Sequence, residues 1–167
     1  IASGTVGGLL AVLEAARWLT SGAADVAFAG GCEAFSEPLA RELATGNPPM
    51  AEAACVFALE LEARARRRNA PIMALLRSSA EGSGASQTIG GAAGAAPTVQ
   101  VSSCAGMPMP GATFLERWTG RCLAASGAAA IAGAIASLAG RELPRVDPAT
   151  QQEAEVDQTH ALVVAGD

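Results

Sequence analysis

The sequence contains no lysine and no tyrosine, and all 11 of its basic residues are arginine. Without lysine, the chain has no amine for a Schiff base and no lysine for a phosphate-binding loop. Aromatic residues make up only 4% of the chain, whereas alanine and glycine are abundant. The core must therefore consist mainly of small side chains that let backbones approach closely.

Histidine occurs once, at His160, and no two cysteines have CxxC spacing. We therefore expect no metal site, no disulfide framework and no cofactor. The net charge of −5 argues against nucleic acid as a partner. No charged stretch precedes the first apolar run, so we expect no secretory signal and a cytoplasmic location. Because the sequence begins at Ile1 without a methionine, we interpret it as a fragment or a processed piece.

Hydrophobic periodicity predicts helices that alternate with strands, which is typical of an α/β fold. We expect helices over 5–21, 61–68 and 122–140, and a short helix that is capped by Ser36 and broken at Asn47. Segment 82–97 is either a loose connection or a small-residue helix, and 145–158 is a polar linker. The predicted strands are 25–29 (closed by Gly30 and Gly31), 53–60, 72–76, 98–103 and 161–165.

Segment 122–140 carries no charge and is about long enough to cross a membrane. Its residues are mostly alanine, glycine and serine, which gain little from contact with lipid. Gly127 and Gly133 permit close packing instead. We therefore expect a helix that is buried between two sheets, and no membrane partner.

Several collinear segments together resemble the ketosynthases of the thiolase superfamily. Residues 1–8 and 14–17 resemble the nucleophile loop and its helix, and residues 21–31 resemble the strand that follows. Residues 50–60 resemble the strand with the family's Gly-Glu-Gly-Ala motif, with both glycines replaced by alanine. Thr119-Gly120-Arg121 resembles the motif that begins Thr-Gly-His in active ketosynthases. The segments are 1–8, 14–17, 21–31, 50–60, 119–127 and 161–166.

This resemblance implies the thiolase-like layered α-β-α-β-α fold, here only the C-terminal part of it. Residues 1–70 would be the end of the N-terminal thiolase-like half. Residues 71–167 would be a shortened C-terminal half. The rest of the first half would be missing or supplied by another segment.

The resemblance also implies that the catalytic side chains have been replaced. Ketosynthases use a cysteine at a helix N-terminus and two histidines, and the matching positions hold Thr5, Cys104 and Arg121. A threonine hydroxyl is a weak nucleophile without a base, and a guanidinium does not act as a base. The resemblance therefore implies a degenerate site in which no residue is catalytic. Taken by themselves, the residues favour Thr5 as a cap of the following helix and Cys104 as a buried apolar residue.

Loss of catalytic residues is typical of chain length factors, the β subunits of type II polyketide synthases. They pair with an active ketosynthase (the α subunit) and shape the tunnel for the growing chain, and they often have Thr-Gly-Arg. The resemblance thus implies a non-catalytic subunit in polyketide or polyene biosynthesis. Its partners would be the ketosynthase α subunit and an acyl carrier protein with a phosphopantetheine-bound acyl chain. Two alternatives stay open, namely an acyltransferase or thioesterase with an atypical nucleophile, and a carrier-protein binding scaffold.

One basic run offers a docking surface for an acidic carrier protein through charge complementarity. Such a run is also typical of a solvated helix face, so both interpretations stay open. Its members are Arg64, Arg66, Arg67 and Arg68.

Overall fold

The computed structural model describes residues 6–43, 50–76, 99–102, 112–114, 119–139 and 161–164. Helices and strands are mixed in these residues, as expected for an α/β chain. The helices are α1 (Gly7–Thr20), α2 (Glu37–Leu43), α3 (Glu62–Arg67) and α4 (Ser126–Leu138), and a 3-10 turn over Leu123–Ala125 leads directly into α4. The strands are β1 (Val26–Glu33), β2 (Ala53–Glu60), β3 (Val99–Ser102), β4 (Ala112–Phe114) and β5 (Ala161–Val164).

The strands form two sheets. β1 and β2 pair in antiparallel register, from Val26 opposite Glu60 to Glu33 opposite Ala53. β3 lies in the centre of the second sheet and pairs in parallel with β4 on one side and β5 on the other. Parallel pairing requires a crossover connection between the strands, and α4 lies in the connection between β4 and β5.

Helices α1 and α4 pack on one face of the β1–β2 sheet, which we call the inner face. Val12 and Ala15 of α1 form the core with Ala29 of β1, and Phe57 of β2 and Ile131 of α4 pack against this cluster. α4 also contacts β3 and β5, so it lies between the two sheets. The small-residue helix is therefore buried between two sheets, as predicted from its composition, and no helix in the described ranges has the length and hydropathy to cross a membrane.

One predicted strand has a wrong C-terminal end, and another predicted strand does not form. β1 does not end at Ala29 but continues through Gly30 and Gly31 to Glu33. Segment 72–76 forms no strand, because it has no pairing partner among the described residues, and its four large apolar side chains are exposed. β4 was not predicted, since three residues are too few to establish an alternating pattern. Segments 82–97 and 145–158 lie outside the described residues, and the division at residue 70 stays a prediction.

Candidate functional site

Three segments that are distant in sequence meet around Ala124, in the 3-10 turn before α4. A Cβ atom added to Gly31 of β1 would lie 2.3 Å from the Ala124 carbonyl oxygen. A Cβ added to Gly8, in the first turn of α1, would lie 2.9 Å from Ala128 Cβ and 3.0 Å from that same oxygen. Because no side chain fits at either glycine, the start of α1, the end of β1 and the start of α4 form one close contact.

The Glu33 carboxylate connects the last residue of β1 to this turn. The backbone N–H of Ala124 donates a hydrogen bond to Glu33 Oε2 at 3.2 Å. The N–H groups at the start of a helix have no partner within the helix, and a carboxylate is favourable there. Glu33 therefore caps the segment that leads into α4 from a position 91 residues earlier in the chain. Sequence reasoning missed this residue, because a carboxylate at a strand end has no distinctive local pattern.

Replacing Glu33 with alanine should remove this acceptor and lower the free energy of unfolding by about 1 kcal/mol. Glu33→Gln keeps an amide oxygen at the same place and should lose a smaller part of the stability. Urea denaturation followed by circular dichroism measures both values. Equal losses in the two variants would contradict a role for the hydrogen bond.

Arg121 lies just before the turn and is held by backbone contacts. It forms an isolated parallel bridge with Met50, and its carbonyl oxygen accepts a hydrogen bond from the Ala51 N–H at 3.0 Å. Gly120, at φ +79°, supplies the left-handed backbone that turns the chain into this position. The Arg121 side chain is half-buried, and its guanidinium forms no ion pair with any other described residue. The position therefore presents a fixed positive charge and no proton acceptor.

Cys122, the next residue, is only 1% exposed. Its Sγ lies 3.5 Å from the Gly120 carbonyl oxygen, which accepts a weak hydrogen bond from the thiol. A nucleophilic cysteine must be reachable by its substrate, whereas this one is enclosed by the turn. Leu123 then adopts φ +36°, a left-handed conformation that is unfavourable for a leucine and that marks the turn as strained.

Of the three degenerate positions predicted from the sequence, the structure describes only Arg121. Thr5 and Cys104 lie outside the described residues, so their predicted roles stay predictions. The segments that carry Thr5 and Arg121 nevertheless meet, because Gly7 and Gly8, two and three residues after Thr5, lie against the turn that follows Arg121. Comparisons with protein-family models, curated proteins and solved structures found no match.

The predicted docking run lies on α3 and the residue after it, and most of its charge is paired within the chain. Arg64 lies 2.9 Å from Asp25, and Arg66 lies 2.7 Å from Glu62. Arg68 donates through Nε to Glu60 at 2.9 Å, with a second, shorter contact through its NH2 group. In the described part of the chain, Arg67 has no acidic partner. Four arginines thus face three carboxylates, and docking of a carrier protein at this surface stays a prediction.

The pairing of Arg68 with Glu60 gives the α3 surface a pH dependence. The hydrogen bonds from Arg68 hold the pKa of Glu60 below its usual value of 4.5, against the effect of desolvation, and the charges of Arg68 and Arg64 lower it further. The folded pKa is thus below the unfolded one. The ion pair therefore stabilises the fold above pH 4.5, and this contribution disappears as the pH falls through the folded pKa.

Arg68→Gln should raise the pKa of Glu60 back toward 4.5, because it removes the main hydrogen-bond donor. An NMR titration of the Glu60 carboxyl carbon measures the shift. Arg66→Gln is the matched control, since Arg66 pairs with Glu62 and should leave the titration of Glu60 unchanged. A Glu60 titration that is the same in the wild type and in Arg68→Gln would contradict the assignment.

Proposed function

We propose that this chain is a non-catalytic, ketosynthase-like subunit that pairs with an active ketosynthase. The observation that carries the proposal is the contact around Ala124. The segment after Thr5, where the family has its nucleophile, lies against the segment after Arg121, where the family has a histidine. An acyl-transfer site would need these two segments to be neighbours.

The layered packing supports a thiolase-like arrangement. α1 and α4 lie side by side, and α4 contacts strands of both sheets. Glycine and alanine at their contact allow the close helix approach that two central helices between sheets require. α1 and β1 follow Thr5, as a helix and a strand follow the nucleophile in the family. α4 follows the Thr-Gly motif. This order of elements supports the resemblance.

The chemistry of the described residues supports a silent site. Arg121 stands where a general base would be needed, and a guanidinium keeps its protons in a protein. Cys122, the residue after Arg121, carries a thiol that is enclosed. A fold that is kept while a positive charge replaces the base fits a subunit that binds the growing acyl chain, or shapes its tunnel, without transferring it.

We expect a complete ketosynthase to be encoded beside this chain, and co-expression with it tests the pairing directly. We expect a one-to-one complex in affinity purification and size-exclusion chromatography. A chain that remains separate from that ketosynthase, or a gene neighbourhood without one, would overturn the proposal. In the complex, product length is the functional readout.

A second experiment separates a silent subunit from the acyltransferase or thioesterase alternative. The purified chain is incubated with acetyl- and malonyl-coenzyme A thioesters, and its intact mass is measured. We expect an unchanged mass. A stoichiometric acyl adduct on Thr5 or on a cysteine would refute the non-catalytic assignment in favour of covalent catalysis.

A further inference from the structure

We draw no further inference here: the strongest candidate, the apolar face of the β1–β2 sheet that points away from α1 and α4 and exposes Val26, Phe28 and Val56, carries none because nothing in the described part of the chain shows what covers it.

Discussion

Gly31→Ala is expected to lower the free energy of unfolding by about 3 kcal/mol. The new Cβ would lie 2.3 Å from the Ala124 carbonyl oxygen and 3.1 Å from Ala125 Cα. Both neighbours are backbone atoms, so neither moves aside by a change of rotamer. The turn must instead move away from β1, which also breaks the hydrogen bond from Ala124 to Glu33.

This coupling gives a sharper test than the single variant. If Gly31→Ala already breaks the Glu33 hydrogen bond, the double variant Gly31→Ala/Glu33→Ala should cost less than the sum of the two single changes. Gly22→Ala is the control, because Gly22 has open space around it and only its φ of +76° opposes a side chain, at about 1 kcal/mol. Strictly additive losses, or a Gly31 variant no worse than Gly22→Ala, would argue against the close contact at Ala124.

Ala128→Leu is expected to destabilise the chain by about 2–3 kcal/mol, because it overfills the contact between α1 and α4. Ala128 is fully buried, and its methyl group already faces Gly8 at a distance that excludes even a second Cβ. The larger side chain should push the two helices apart and separate the start of α1 from the Arg121 segment. Urea denaturation measures the loss, and chromatography with the ketosynthase shows whether pairing fails with it.

The matched control for this change lies on the same helix. Ala132 is only partly buried, so leucine there adds the same three carbons without filling a closed contact. Ala132→Leu should therefore cost less than 1 kcal/mol. If both variants lose a similar free energy of unfolding, leucine destabilises α4 at either position, and the contact at Gly8 has no special role.

Much of the local structure could be predicted from sequence periodicity. β2 was predicted over 53–60, the residues that it occupies, because its apolar run is bounded by polar residues on both sides. The helix that became α4 was correctly expected between two sheets, because a charge-free run of small residues packs well only where backbones come close.

The errors concern information that is not local. Gly30 and Gly31 were interpreted as the end of a strand, since glycine usually marks a turn. Their actual role is to admit the backbones of Cys55 and Ala124, which only the folded chain brings near. Segment 72–76 has the apolar composition of a strand, but a strand also needs a partner with free hydrogen-bonding groups. The Glu33 cap was missed for the same reason, because its partner is 91 residues away.

The distance along the chain between Glu33 and Ala124 has a consequence during synthesis. β1 and β2 leave the ribosome well before α4, so the inner face of their sheet lacks α4 until the later residues are made. At about 5–20 residues per second, the 91-residue interval lasts roughly 5–20 s. Throughout that time the inner face of this sheet has an incomplete cover. We therefore expect the yield of the chain in a cell to rise when chaperones that hold emerging chains are more abundant.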